Sequence, residues 1–196
     1  MALNLSKNQS ISLEKTAGSG LTAITLGLGW DPVKASGFFG KLMGKNDEID
    51  LDASCIVLNG SFEPLDLVWF QQLESRDGSI AHSGDNLTGE GEGDDESIYV
   101  DLQRLPGEVQ HLVFTVNSFR GQTFDKVANA YCRIVNDTNG SELARFNLAE
   151  KGGHTGLIMA AMSRESGGWQ FKAIGTATNG QTVDDLIDLA IRAVRA

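Results

Sequence analysis

Short apolar runs recur along the chain at roughly ten-residue spacing, separated by Gly, Asn and Asp. They include LTAITLGLGW (21–30), DLDASCIVLN (50–59), PLDLVWFQQL (64–73), SIAHSG (79–84) and SIYVDLQRL (97–105). EVQHLVFTVNSF (108–119), ANAYCRIVND (128–137), SELARFNLA (141–149), TGLIMAAMSRE (155–165) and WQFKAIGTAT (169–178) complete the series. In SIYVDLQRL the alternation is plain: Ile98, Val100 and Leu102 face one way, Tyr99 and Asp101 the other. Many short strands with turn signals between them predict a mostly β fold, a β-sandwich of two antiparallel-rich sheets. An α/β sheet would need amphipathic helices between the strands, and only two helical segments stand out. One is short, Thr123 to Ala128. The other is an amphipathic helix, Thr182 to Val194, in which Val183, Leu186, Ile187, Ala190, Ile191 and Val194 share one face. Thr182 is its candidate N-cap, with Asp184 and Asp185 in the first turn and Arg192 and Arg195 at the end. LNLSKNQSISLEK (3–15) reads as two short strands around an Asn-rich turn. The length suits one domain, 1–196.

The formal net charge is −10, and its distribution matters more than its size. Between Arg76 and Arg104 there is no Lys or Arg, while Asp77, Asp85, Glu90, Glu92, Asp94, Asp95, Glu96 and Asp101 all fall there. A localised acidic surface disfavours nucleic acid and anionic membranes and attracts cations. No basic-then-apolar leader opens the sequence and no run approaches about 20 apolar residues, so no transmembrane segment is expected and the cytoplasm is the expected compartment. Cys55 and Cys132 sit in apolar runs, as buried free thiols do.

The densest acidic stretch is GDNLTGEGEGDDES (84–97), with six carboxylates among four glycines. A phosphate cradle would use such glycines, but six carboxylates repel phosphate. A solvated acidic turn is the plain reading. A calcium site is the chemical one, because Ca²⁺ takes six to eight oxygens from carboxylates, amides and carbonyls. The EF-hand pattern fails here: the third and fifth positions counted from Asp85 are Leu87 and Gly89, and no helices flank the loop. Partners must come from other strand ends. Asp50 and Asp52, at i and i+2, face one side, and Asp31 ends another strand. Mg²⁺ suits the pattern less, and the scattered His82, His111 and His154 do not suggest zinc.

No catalytic constellation emerges. His82 and Ser83 are neighbours in sequence and point to opposite faces. The segment PVKASGFFGKLMGKNDEI (32–49) reads as an inserted loop, mobile or a basic-apolar docking element.

GLGWDP (27–32), DLDASCIVLN (50–59), HSGDNLTGEGEGDDESIYVDL (82–102), VNDTNGSELARFNL (135–148) and GGWQFKAIG (167–175) together resemble the TerD family of tellurite-resistance and stress proteins. The likeness runs in order over nearly the whole chain, and the 32–49 insertion makes it more similar to the TerZ branch. The resemblance implies a cytoplasmic β-sandwich that binds Ca²⁺, often at two adjacent sites, and is linked to tellurium-oxyanion resistance. It implies other tellurite-resistance proteins as partners. Its acidic motif positions match Asp31, Asp50, Asp52, Asp85, Asn86, Asp94, Asp95 and Glu96, with Glu90 and the carbonyls of Thr88 and Gly91 as further candidates. A binding module rather than an enzyme is expected. The alternatives are calcium-dependent binding of a cyclic nucleotide or phosphate, and thiol-based reduction of tellurite.

Overall fold

The structure, a computed structural model, describes residues 2–18, 20–33, 49–86, 93–148 and 152–196. Twelve strands run through them: β1 (Leu3–Leu5), β2 (Ser10–Ser12), β3 (Ala23–Pro32), β4 (Asp52–Asn59), β5 (Pro64–Val68) and β6 (Ile80–His82). Then come β7 (Glu96–Asp101), β8 (Val109–Asn117), β9 (Val127–Asn136), β10 (Ser141–Asn147), β11 (Gly156–Glu165) and β12 (Gly168–Thr178). Among the described residues two helices join them, α1 (Leu13–Ala17) and α2 (Val183–Arg195), with a 3₁₀ turn at Phe124–Lys126.

The strands form two six-stranded sheets, ordered β1-β10-β9-β3-β7-β6 and β2-β12-β11-β8-β4-β5. The expected sandwich is therefore the observed one. All pairings are antiparallel except β1 on β10. Three of the four edge strands, β1, β2 and β6, span only three residues each, too short to template another chain.

The apolar runs that do not alternate have a reason. In β4, Ala53, Cys55 and Val57 face the core between the sheets, while Ile56 and Leu58 face a second apolar layer with Val183, Leu186 and Ala190 of α2. A strand covered on both faces reads as a continuous apolar run. β11 follows the same logic, with Leu157 and Met159 inward and Ile158 outward. The C-terminal helix is thus bound to the sandwich, as its apolar face predicts. Its first turn is closed by Asp185, whose carboxylate accepts hydrogen bonds from the backbone N–H groups of Gln181 (2.9 Å) and Thr182 (3.1 Å).

Two local expectations change. The strand reading of SISLEK ends at Ser12, because its hydroxyl accepts from Lys15 N (3.3 Å) and starts α1, which buries Leu13. The helix expected over Thr123–Ala128 is one 3₁₀ turn, since Val127 already pairs with Pro32 in the β3–β9 ladder.

The topology gathers one end of the sandwich. β3 ends there as β7 begins, with Leu28 opposite Glu96. β4 begins there as β8 ends, with Asp52 opposite Asn117. The two sheets are joined at this end by Glu96, whose Oε2 accepts from Ala53 N at 2.7 Å.

Candidate metal centre

Asp50 lies just before β4 and Asp52 opens it. Between them Leu51 is fully buried, so the apolar side chain anchors the segment and the two carboxylates share its other side. Asp85 arrives from the segment that follows β6. One carboxylate oxygen from each of the three lies within 4.8 Å of the others. Asp50 and Asp52 are only 4% and 3% exposed, while Asp85 is open to solvent.

Charge is partly compensated at the rim. Arg120 Nε lies 2.9 Å from Asp50 Oδ2. Phe119 N donates to Asp52 Oδ2 at 3.3 Å. Burial pushes the Asp52 carboxyl up to about 7, and the negative charges of Glu96, Asp50 and Asp85 add to the rise. Three converging carboxylates form an all-oxygen donor set, the chemistry of a hard divalent cation.

Glu96 and Asn86 act as braces. Glu96 is buried, and its Oε1 accepts from Asn86 N at 3.1 Å. Its Oε2 also lies 3.4 Å from His82 Nε2, which in turn sits 3.1 Å from Ala53 O. Gly84 N donates to His82 Nδ1 at 3.0 Å, which leaves the ring proton on Nε2 and aims it at these oxygens. Ser83 turns the other way, its hydroxyl accepting from Ser97 N, so His82 and Ser83 do not form a pair.

A second group adjoins the first. β3 carries an irregularity between Gly29 and Asp31, and the Trp30 N–H released from the ladder there donates to Asp95 Oδ2 at 2.8 Å. Asn86 Nδ2 donates to Asp95 Oδ1 at 3.2 Å. Burial raises the Asp95 carboxyl above its ordinary range, and the charges of Asp31, Asp94 and Glu96 raise it further. Asp31 is exposed and accepts from Asn129 Nδ2 at 2.8 Å. Asp94 is directed elsewhere: Arg133 Nε meets both its oxygens, at 2.8 and 3.0 Å, and Tyr131 OH donates to it at 3.1 Å. Gly27 makes this possible, because a Cβ there would run into the Asp94 carboxylate. Thr88, Glu90, Gly91 and residues 34–48 of the insertion lie outside the described residues.

Sequence reasoning missed Arg120 and Phe119, which close the rim, and His82, which braces it from inside. The signal was the polar run Asn-Ser-Phe-Arg-Gly-Gln at 117–122, directly after an apolar strand. Cys55 and Cys132 are free and fully buried, and burial pushes their thiols upward, Cys132 to about 12. Thiolates, the reactive species, are disfavoured there. Among the described residues no helix is long and apolar enough to cross a membrane.

The TerD domain model matches residues 1–189. The chain is 52% identical over 192 residues to the tellurium resistance protein TerZ of Serratia marcescens, covering 98% of both chains. It is 43% identical to the stress response protein SCP2 of Bacillus subtilis, covering 95% of this chain and 98% of that one. A crystal structure of a homologue of the telluride resistance protein TerD from Streptomyces coelicolor superposes with a TM-score of 0.68 at 23% identity, covering 86% of this chain and 96% of the other, and supports the fold.

Proposed function

We propose that this chain, which belongs to the TerD domain family of tellurium resistance and stress response proteins, is a calcium-dependent binding module. The observation that carries the reading is the convergence of Asp50, Asp52 and Asp85, two of them buried. Burying like charges together is unfavourable unless a proton or a cation intervenes. The raised Asp52 carboxyl is the protein's response when only protons are available. A hard divalent cation would let all three ionise, and its oxygen preference matches the donor set. Asp50, Asp52 and Asp85 would hold it, and Asp31 and Asp95 would serve a neighbouring position. The cation supplies positive charge to an acidic end that otherwise repels anionic and acidic partners. In this reading the loaded end is the face offered to other tellurium-resistance proteins, and no bond of a substrate is made or broken.

Calcium titration by calorimetry, with thermal melts in calcium and in chelator, tests the reading. At a hundredfold excess over Kd, ligation stabilises the fold by about 2.7 kcal/mol. For a chain of this length that raises the midpoint by roughly 5–11 °C. Equal midpoints and no heat of binding would remove it.

One observation favours a second reading. Arg120 is half-exposed beside Asp50, and the exposed ring of Phe119 meets Phe70 edge-on at 5.7 Å on the same rim. Cation, guanidinium and aromatic ring together suit a phosphate attached to a planar base. Binding of a cyclic nucleotide in calcium but not in chelator would support it, and no binding in either state would dismiss it.

A further inference from the structure

Asn117 ends β8 directly opposite Asp52, so the two side chains leave the same face of the sheet as a cross-strand pair. The Asp52 carboxylate leans toward β8, since its Oδ2 accepts from Phe119 N, two residues beyond Asn117. Asn117 is 1% exposed. Its amide Nδ2 donates to Gln181 O at 2.8 Å, just before α2, whereas its carbonyl oxygen Oδ1 is buried without a hydrogen-bond partner. The next pair along the same face, Ser54 and Thr115, repeats the pattern: both hydroxyls are buried and without partners. On the far side of Asn117 stands Gly156, with Leu186 of α2 lying over it, so the face is closed from solvent. A buried polar atom without a partner costs about 1–3 kcal/mol. Three in a row beside a carboxylate mark a place for an occupant that interacts with oxygen.

Resting on the cation reading above, we propose that Asn117 is a further ligand of that site, its Oδ1 supplying a neutral oxygen on the inner side of Asp52. A calcium ion needs six to eight oxygens. Asp50 Oδ2 is engaged by Arg120 and Asp52 Oδ2 by Phe119 N, so the three carboxylates alone leave the shell short. An amide carbonyl adds coordination without adding a fourth negative charge. The same side chain then ties the ion to the start of α2 through its amide, so ion binding and helix docking share one residue.

The test is calorimetric titration of the full chain with CaCl₂ alone, comparing the unaltered protein with Asn117→Ala and Asn117→Asp, each checked for fold by circular dichroism. Both variants lose the amide donor to Gln181, but only Asn117→Asp keeps an oxygen in the same place. Asn117→Ala is expected to weaken calcium binding about tenfold or more, while Asn117→Asp stays within about threefold of the unaltered protein or binds tighter. Asn117→Ser, whose oxygen is set back by one atom, replaces Asn117→Ala if the latter does not fold. Equal weakening in both variants would show that Asn117 acts only through Gln181, and unchanged affinity in both would show no role; either overturns the proposal while the carboxylate site stands. If the unaltered protein binds no calcium, the cation reading itself fails and this assignment falls with it.

Discussion

Replacing Asp52 by Asn is expected to stabilise the calcium-free protein at alkaline pH, the opposite of what removing a buried partner usually does. The Asp52 carboxyl is raised from an ordinary 3.8 to about 7, first by burial and then by Glu96, Asp50 and Asp85. Between those values the folded state holds a proton that the unfolded chain has released. Stability therefore falls as pH rises through that window and levels off above it. At about 1.4 kcal/mol per pH unit, the full effect is about 4 kcal/mol. Asp50 and Asp85 remain beside the substituted residue, so we expect the variant to recover about 2–4 kcal/mol at pH 8, or roughly 4–16 °C of midpoint. The substitution keeps the acceptor for Phe119 N, which limits side effects. Thermal melts in chelator from pH 4 to pH 8 read the difference. The gap between the variant and the unaltered protein should open from about pH 4 to about pH 7 and hold steady above, as the carboxyl ionises. Calcium should narrow the gap for the unaltered protein alone. Parallel pH profiles, or a variant less stable at pH 8, would refute the reasoning.

Other expectations concern the frame around the site. Gly27→Ala should cost about 1–3 kcal/mol by overpacking against Asp94, and combining it with Asp94→Ala should return part of that loss in a double-mutant cycle followed by urea unfolding. Leu186→Ala, a fully buried contact of α2, should cost about 2–5 kcal/mol in the same assay. The native protein should resist thiol-reactive dye at pH 8 at both Cys55 and Cys132, with labelling appearing only on unfolding. Cys55→Ser and Cys132→Ser should accordingly leave cellular tellurite resistance unchanged wherever the protein still folds; lost resistance in a folded variant would revive thiol chemistry.

Much of the fold was legible because strands advertise themselves locally. The alternation in SIYVDLQRL, the β4 run buried on both faces and the apolar face of α2 all report their surroundings through nearest neighbours in sequence. The short helix α1 was not legible, since five residues carry too little periodicity to outweigh a strand-like flank, and only the Ser12 cap marked it. In the site, the i, i+2 spacing placed Asp50 and Asp52 correctly on one side. Asp94 could not be placed, because its partner Arg133 is 39 residues away and joins it only across the outer face of a sheet. Arg120 and Asn117 escaped for the same reason: their significance lies in the pairing of β8 with β4, which no local pattern specifies.

Trp30 gives the site its own optical probe. Its backbone N–H is held by Asp95, and its indole N–H donates at 3.1 Å to the carbonyl of Ile49, the residue before Asp50. Trp30 is 3% exposed, so its emission comes from a dry environment fixed at one end to Asp95 and at the other to the residue that leads into Asp50. Any occupant that moves Asp95 or the approach to Asp50 changes the field on that ring. With Trp69 and Trp169 replaced by Phe, fluorescence from Trp30 alone would follow loading in real time, without a label.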